Sequence, residues 1–328
     1  MTIYDIAKEA GVSASTVSRV MNNKPGIREE TRERVMAIVE KYNFAPDETA
    51  RGLVRQATKI VGLLVPDVRI ANYMMGIHSI IKSMAQLGYC CIVIDTGLEG
   101  AERAKYIKIL GQRRVEGAIL IGSGYQCDEV RNAIETYLKN IPVVMVNSGI
   151  DLPNVYSVVI EERRGTKMCF DHIFEKGYKK PIFIGCEDKN SNRSRLEGMA
   201  DSIAEHCPGL EVPVYLCESP EGCGYESTRQ AMLDHPDADV IFYTADCFAV
   251  LGISMLQEMG IDVPRKVGVV TGEQSIYSFI RHPYLTSLDT KVEEICDRAC
   301  ETLAAILAGK PAAKTETVAP SLQILETT

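Results

Sequence analysis

From Lys59 onward, short β-rich runs alternate with amphipathic helical stretches, and this alternation constrains the fold more than any other feature. The first set of runs is Ile60–Val65, Tyr89–Asp95, Gly117–Gly122 and Pro142–Asn147; the second is Ile182–Cys186, Val214–Cys217, Val240–Thr244 and Val267–Thr271. Continuous apolar strands separated by helices are typical of parallel sheets covered on both faces. The sequence therefore predicts an α/β part made of two doubly wound subdomains with four strands each.

Two later segments are expected to connect these subdomains. Tyr156–Ile160 is the predicted first crossing, and a return near Leu285–Thr290 would place the last helix, about 291–309, with the first subdomain. Ligands of such sheets bind outside the carboxyl ends of the strands. The cleft between the subdomains is therefore the expected ligand site.

Residues 1–45 form a purely helical pattern instead. Thr2 and Asp5 have the spacing of a capping arrangement, and Ser13 is placed to cap a second helix after the Gly11-Val12 turn. A third helix is expected over 29–42, and a short helix capped by Asp47 is expected to run to about Arg55. Two short helices around a tight glycine turn have helix-turn-helix form.

The second of these helices has one polar face. At 100° per residue, Val17 and Val20 point inward, and the outward face consists of Ala14, Ser15, Ser18 and Arg19. Small polar residues with one arginine suit a helix in the major groove of DNA, where arginine binds guanine in bidentate fashion. The alternative from the residues alone is a helical hairpin with an ordinary solvated face.

Composition narrows the class of protein. The 328 residues carry a net charge of −8. Residues 1–58, in contrast, hold nine Lys and Arg and eight Asp and Glu, so this segment is slightly basic. No run approaches the ~20 apolar residues of a membrane span, and the N-terminus does not resemble a signal peptide, so a cytoplasmic protein is expected. Eleven scattered cysteines without a C-x-x-C motif are then expected to be reduced thiols, and no metal site or cofactor is expected.

Residues 2–58 resemble the DNA-binding headpiece of the lactose/purine repressor (LacI/GalR) family. The matching segments are TIYDIAKEAGVS, TVSRV at Thr16–Val20, TRERV at Thr31–Val35, and APDETARGL before the β-rich part. In that family the last segment is a hinge helix that inserts a leucine into the minor groove, a role that the resemblance assigns to Leu53. The expected DNA-binding residues are Thr2, Tyr4, Ser13, Ala14, Ser15, Thr16, Ser18, Arg19, Asn22, Ala50, Arg51 and Leu53.

The resemblance continues over residues 60–325, which are similar to the family's effector-binding core, a type I periplasmic-binding-protein-like fold. Arg195 matches the family's R-x-x-G motif, and Asp246 its D-x-x-A motif; Asp246 would either contact the ligand or cap the following helix. Thr271-Gly272-Glu273 departs from the usual Gly-aromatic-Asp, because the aromatic residue is absent. The expected effector-binding residues are Asp67, Arg69, Asn72, Tyr73, Asn147, Arg193, Arg195, Asp246 and Glu273.

The expected effector is a sugar or sugar derivative. Three of these residues, Arg69, Arg193 and Arg195, suggest that it is anionic. Paired acids such as Glu161-Glu162 and Glu293-Glu294 are interpreted as solvated helix starts or faces.

The predicted function is sequence-specific DNA binding by a transcription regulator, acting as a repressor and not as an enzyme. A homodimer is expected, because two helices related by a twofold axis read a palindromic operator. The expected domains are residues 1–45, a hinge at 46–58, and a core at 59–328, divided into about 59–157 plus 288–320 and about 158–287 plus the C-terminal tail. The alternatives are a solute-binding module and an enzyme of the same fold, although the sequence has no G-x-S-x-G, Walker A or G-x-G-x-x-G motif.

Overall fold

The computed structural model describes residues 1–44, 58–186, 189–217 and 222–328. The chain divides into two compact units, Met1–Thr58 and Lys59–Thr328. The predicted short helix over Asp47–Arg55 lies outside the described residues, as do Ala50, Arg51 and Leu53 of the expected hinge.

The N-terminal unit contains three helices, α1 (Ile3–Ala10), α2 (Ala14–Met21) and α3 (Glu29–Lys41). The capping arrangement predicted at the first helix is present, because the Thr2 and Asp5 side chains each accept from the other residue's backbone N–H. Gly11 ends α1 with a φ of 66°, a left-handed conformation that costs little without a Cβ. Ser13 then caps α2 by accepting from the backbone N–H of Thr16, as predicted.

A small apolar core holds these three helices together. Ile6 of α1, Val17 and Val20 of α2, and Val35 of α3 are buried in one cluster. The inward orientation predicted for Val17 and Val20 is therefore confirmed. Because α2 buries one face in this core, its opposite face is left for solvent or a partner.

The C-terminal unit is built from strands and helices that alternate as the sequence predicts. Its strands are β1 (Ile60–Val65), β2 (Cys90–Asp95), β3 (Gly117–Ile121), β4 (Val143–Val146), β5 (Val155–Ile160), β6 (Pro181–Cys186), β7 (Val214–Cys217), β8 (Val240–Tyr243), β9 (Gly268–Thr271), β10 (Thr286–Asp289), β11 (Thr315–Val318) and β12 (Ser321–Gln323). Its α-helices are α4 (Ala71–Gln86), α5 (Gly100–Gln112), α6 (Asp128–Tyr137), α7 (Glu162–Glu175), α8 (Lys189–His206), α9 (Ser227–Asp234), α10 (Asp246–Glu258) and α11 (Val292–Leu307).

The strands form two sheets, each of which is the centre of one lobe. The first lobe has the strand order β11-β5-β4-β3-β1-β2, and the second has β12-β10-β9-β8-β6-β7. All neighbouring strands are parallel except β10 and β12. The prediction of four strands per subdomain was too low, because the segments interpreted as crossings are themselves sheet strands. Polar residues such as Ser157 in β5 and Ser287 in β10 interrupt the apolar pattern there.

The chain passes between the lobes at three places, after β5, after β10 and after β11. The last helix, α11, packs with α4 on the sheet of the first lobe, where Cys296 and Leu303 join Val61 and Ile80 in one buried cluster. Its return to the first lobe is therefore as predicted. These crossings bring the carboxyl ends of strands from both lobes to one cleft.

The expectation that every cysteine is a free thiol was wrong for one pair. Cys217 ends β7, Cys223 lies six residues later, and the two are joined in a disulfide with their Cα atoms 5.4 Å apart. That separation lies within the range a disulfide spans. Sequence spacing did not reveal it, because a separation of six residues gives no through-space distance.

Within the described parts of the chain, no helix is both long enough and apolar enough to cross a lipid bilayer.

Candidate functional site: a DNA-reading helix and an interlobe cleft

The N-terminal end of α2 carries a cluster of hydroxyl groups. The Ser13 Oγ lies 2.8 Å from the Ser15 Oγ and 2.9 Å from the Thr16 Oγ1, beside the first free backbone N–H groups of the helix. Hydroxyls and N–H groups at a helix N-terminus bind phosphate oxygens well. Thr2, at the start of α1, is exposed, and the neighbouring Tyr4 is 73% exposed.

Further along α2, the outward face is polar. Ser15 and Arg19 are exposed, whereas Ala14 and Ser18 are half-buried, with Ala14 packed against the helical core. The Arg19 Nη2 donates to the Pro25 carbonyl oxygen at 2.9 Å, and Asn22 donates to the Ser18 carbonyl oxygen at 2.7 Å. This bond holds Arg19 beside the loop after α2. It uses only one of the guanidinium N–H donors of Arg19.

In the larger unit, four side chains form a cleft network that joins the lobes, namely Asn72, Glu162, Arg195 and Glu273. The Arg195 Nη2 lies 2.8 Å from the Glu162 Oε1 and 3.0 Å from the Glu273 Oε1. The Asn72 Nδ2 donates to the Glu273 Oε2 at 2.8 Å. Asn72 begins the first helix of the first lobe, whereas the other three belong to the second lobe.

The network is shielded from solvent, and this changes its acid–base behaviour. Arg195 is 11% exposed and Glu273 26% exposed by side chain. Burial is the main cause that raises the pKa of Glu273 to about 7, and the acidic neighbours Asp246 and Glu162 add to the effect against the opposing Arg195. The carboxyl group of Glu273 therefore changes charge near neutral pH.

Asp246 supports the loop that carries Glu273. Its Oδ2 accepts from the Ser275 backbone N–H at 2.6 Å, the Ser275 Oγ at 2.8 Å and the Ser278 Oγ at 3.0 Å. It is the first residue of α10, and burial raises its pKa although hydrogen bonds from Ser275, Ser278 and the Cys247 backbone oppose that rise.

Three residues after β1 lie on the first-lobe side. Asp67 accepts from the Arg69 Nε at 2.9 Å and the Arg69 Nη2 at 2.7 Å, and this bonding lowers the pKa of Asp67. Arg69 itself is 86% exposed. Tyr73 places its hydroxyl against Gly122, where an added Cβ would lie 2.7 Å from that oxygen.

The three arginines expected to form an anion site are engaged separately. Arg69 pairs with Asp67, and Arg193, which is 82% exposed, pairs with Glu197 one turn along α8. Arg195 is bound by two carboxylates.

A cavity of about 710 Å³ opens at the lobe boundary on the side of Glu162. Asn147 lines it and adopts a left-handed φ of 55° while its Oδ1 accepts from the Ile160 backbone N–H. Its other lining includes the polar residues Ser123, Gln126, Ser148, Ser157 and Ser194 and the charged residues Glu161, Arg163, Arg164, Lys167 and Asp201. The Ser148 Oγ is buried and has no hydrogen-bond partner.

Sequence reasoning missed Glu162 as a member of the cleft network and did not single out the buried Asn192. Glu162 was interpreted as a solvated helix start, but it is 23% exposed and pairs with Arg195. Its place directly after β5 was the available signal, since residues after parallel strands face ligands. Asn192 is 4% exposed, and its Nδ2 donates to the Cys186 carbonyl oxygen at 2.7 Å.

Comparison with known proteins agrees with this two-part organisation. A family profile described as bacterial regulatory proteins, lacI family, matches residues 2–47, and one described as a periplasmic binding protein-like domain matches residues 170–328. A helix-turn-helix transcriptional regulator of Lachnoclostridium phytofermentans is 24% identical over 331 residues, covering 100% of this chain and 99% of that protein. The transcriptional repressor PurR of Klebsiella pneumoniae is 27% identical over 305 residues, covering 92% and 89%.

A solved structure gives the same fold. The lac repressor dimer bound to operator and the anti-inducer ONPF has a TM-score of 0.90 at 21% identity, covering 100% of this chain and 98% of that one. Fold and surfaces together define a helix-turn-helix regulator with a periplasmic-binding-protein-like core. Residues 2–47 match the DNA-binding domain of the lacI family, and the chain is a DNA-binding transcription regulator. The family, fold class and regulatory function expected from the sequence are confirmed.

Proposed function

We propose that this protein is a repressor that binds a palindromic operator as a homodimer, under the control of a small molecule bound between the lobes. The observation that carries the proposal is the coexistence of an exposed polar face on α2 with a side-chain network that joins the two lobes. The first supplies a surface for reading DNA. The second supplies a place where a ligand changes the relation between the lobes.

For the DNA-reading part, we propose that α2 lies in the major groove. Ser15 and Arg19 would reach base edges or phosphates, and the hydroxyls of Ser13 and Thr16 would bind the backbone. Thr2, Tyr4, Ala14, Ser18 and Asn22 complete the proposed surface. This unit has nearly equal numbers of basic and acidic residues, so it has no general basic patch. Its specificity for DNA would therefore come from a few individual contacts.

The hinge residues are proposed on the family resemblance. Ala50, Arg51 and Leu53 would form the segment that reaches the minor groove, with Leu53 as an apolar wedge between base pairs. Replacing Leu53 with Ala should then weaken specific binding more than non-specific binding. Equal losses for both would remove the wedge role.

For ligand control, we propose that the effector enters the cleft and replaces bonds of the cleft network. The relevant side chains are Asp67, Arg69, Asn72, Tyr73, Asn147, Arg193, Arg195, Asp246 and Glu273. Among these, Asn72, Arg195 and Glu273 are already joined, and Asn147 lines the adjacent cavity. A ligand bound more tightly by one lobe arrangement shifts the population toward it, and the coupling is typically worth ~1–3 kcal/mol.

Exposed apolar side chains support the proposal of a dimer. Met74 and Ile81 are 48% and 42% exposed on α4 of the first lobe, and Ile276, Phe279 and Ile280 are 64%, 44% and 52% exposed on the second. Large apolar side chains grouped on a surface mark protein interfaces. A second copy of the chain is the proposed partner, since a twofold dimer presents two α2 helices about one DNA turn apart.

Catalysis is the second class considered, and we propose that the cleft binds without converting its ligand. Asp246 is engaged by Ser275 and Ser278, and Glu273 is engaged by Asn72 and Arg195, so these buried acids serve as structural acceptors. The named relatives are transcription regulators.

Selection of operators from random DNA tests the proposal. The full-length protein should enrich a palindrome whose half-sites are about one helical turn apart. Enrichment of non-palindromic sequences, or none above a random pool, would contradict it. A parallel selection with Arg265→Ala, an exposed arginine of the core unit, should return the same palindrome.

A further inference from the structure

Three cysteines lie together at the carboxyl ends of two neighbouring strands in the second lobe. Cys217, the last residue of β7, forms a disulfide with Cys223, and their Cα atoms are 5.4 Å apart. Cys186, the last residue of β6, is the in-register neighbour of Cys217 in the sheet. Cys223 is a buried member of one apolar cluster, and Cys186 and Cys217 both pack against that cluster. The three side chains therefore lie on the same face of the sheet.

Cys217 has two cysteines within reach of its sulfur. In-register residues of neighbouring strands are about 4.8 Å apart, and their side chains point to the same face. A disulfide requires a Cα separation of roughly 4.4–6.8 Å. Cys186 and Cys223 both meet this requirement. The sulfur of Cys217 is therefore placed to bond with either of them.

The more accessible sulfur of the existing disulfide is that of Cys217. β7 is the edge strand of its sheet and Cys217 is half-buried, whereas Cys223 is 0% exposed. A thiolate from solution therefore attacks Cys217, and Cys223 is the leaving group. Only six positions separate the bonded pair, and a disulfide that closes a short loop stabilises a fold less than one that closes a long loop. Opening this bond is correspondingly less costly.

We propose that Cys186, Cys217 and Cys223 form a thiol–disulfide exchange site, in which Cys217 bonds to either Cys223 or Cys186. This inference goes beyond the proposed regulatory function and does not depend on it. In the exchange, the Cys186 thiolate attacks the Cys217 Sγ, so the Cys186–Cys217 bond forms and the Cys217–Cys223 bond breaks. Cys223 leaves as a thiolate and takes up the proton that Cys186 lost, and no net oxidation or reduction occurs. A dithiol reductant opens either pair, because its two thiols become a disulfide while the two cysteines take up their two hydrogens.

The two pairings tie the end of β7 to different parts of the lobe. Cys223 lies in the one-turn π-helix Gly222–Glu226, which packs closely on α10. A Cβ added at Gly224 would lie 2.5 Å from the Leu251 Cβ of α10, so this turn and α10 are in tight contact. The Cys217–Cys223 bond therefore links β7 to the side of the lobe that carries α10.

The alternative pairing reaches the helix that carries the cleft arginine. The Cys186 carbonyl oxygen accepts from the Asn192 Nδ2 at 2.7 Å, so the end of β6 is held against the first turn of α8. Asn192 precedes Arg195 by three residues on α8, and side chains at this spacing lie on one face of a helix. A bond between Cys186 and Cys217 would therefore fix the strand end that holds the start of α8.

Peptide mapping by mass spectrometry tests the exchange on the full-length protein with its natural sequence. The oxidised protein is incubated with a substoichiometric amount of reduced glutathione, and the remaining thiols are then alkylated in acid. Because both pairings meet the same geometric requirement, at least about a tenth of the protein should come to carry the Cys186–Cys217 bond. Absence of this disulfide at every time point overturns the proposal.

Single replacements separate the two partners of Cys217. After incubation with oxidised glutathione, which is reduced to two glutathione thiols, Cys223→Ala should contain Cys186–Cys217 as its main disulfide. Cys186→Ala should keep Cys217–Cys223, and Cys207→Ala, at a half-buried cysteine after α8, should give the disulfide map of the natural sequence. If Cys223→Ala carries glutathione on Cys217 but no Cys186–Cys217 bond, Cys186 is not an exchange partner.

Amide hydrogen exchange tests the link to α8. In Cys223→Ala, oxidation should slow the exchange of the backbone amides of residues 193–198 by about tenfold, the equivalent of about 1.4 kcal/mol. In Cys186→Ala, where only Cys217–Cys223 forms, oxidation should change the same amides by less than about twofold. Equal changes in the two variants would overturn the link between the pairing and the helix that carries Arg195.

Discussion

The Asn72 Nδ2 and the Glu273 Oε2 lie 2.8 Å apart, although the two residues are separated by 201 positions in the chain. Asn72 is at the start of α4 in the first lobe, and Glu273 follows β9 in the second. A hydrogen bond between an amide and a carboxylate thus connects the lobes at the cleft. Any ligand that competes for either group changes how the lobes are held together.

The first prediction concerns this hydrogen bond. Asn72→Ala should lower the free energy of unfolding of the core unit by about 1–2 kcal/mol, because the Glu273 carboxylate loses a donor. Urea unfolding followed by circular dichroism measures it. Asn132→Ala, at an exposed position on α6, should change the value by less than about 0.5 kcal/mol. Equal losses in both variants would mean that the cross-lobe bond contributes nothing.

The second prediction concerns pH. Burial raises the pKa of Glu273 to about 7 from an ordinary value of 4.5, so the folded state holds a proton that the unfolded state releases. The stability from this group is fully present below about pH 4.5 and is lost as pH rises to about 7, by up to about 3 kcal/mol.

Unfolding in urea at a series of pH values checks the effect. Glu273→Gln should abolish this part of the pH dependence, since a glutamine does not titrate. Glu135→Gln should keep the pH dependence of the natural sequence. Identical pH profiles for all three proteins would show that Glu273 titrates at its ordinary pKa.

The third prediction concerns DNA recognition by α2. Arg19→Ala should weaken binding to the selected operator by about 1–3 kcal/mol, the worth of a bidentate contact with guanine, and should weaken non-specific binding far less. Arg19→Lys should recover little, because an ammonium lacks the planar fork. Fluorescence anisotropy on operator and scrambled duplexes gives the dissociation constant for each. If the substitution weakens binding to both duplexes equally, Arg19 contacts a phosphate and not a base.

The fourth prediction concerns the close packing of α7 and α8. A Cβ at Gly198 would lie 2.1 Å from the Arg163 carbonyl oxygen, so Gly198→Ala should destabilise the core unit by about 1–3 kcal/mol. Helix propensity alone predicts the opposite sign, a gain of up to ~1 kcal/mol. Thermal melting decides between them, and Ala200→Ser, on the exposed face of the same helix, should have little effect.

Much of the local structure could be read from the sequence. The caps at Thr2 and Ser13 were predictable because capping depends on a side chain and a backbone N–H only three residues away. The apolar strands after Lys59 were predictable because burial on both faces leaves a continuous apolar run. Strands with polar positions, such as β5, were missed because that pattern was broken.

The cleft was predictable only in part. The motifs around Arg195 and Glu273 indicated cleft residues, but motif positions carry no information on partners. The arginines were therefore grouped as an anion site, whereas Arg69 and Arg193 each pair with an acid close in sequence. Glu162 looked like an ordinary helix start until folding placed it beside Arg195.

The sequence by itself determined the helical N-terminal unit, the alternating strands and helices, and the resemblance to the lacI family, because each depends on patterns within a few residues or on residue order. Only the tertiary structure decided which charges meet in the cleft. Arg195 binds Glu273 across 78 positions and Asn72 binds it across 201, and contacts at such separations are set by how the sheets and helices pack. Burial in that packed cleft also raises the pKa of Glu273, and burial depends on the surrounding fold and not on the glutamate alone.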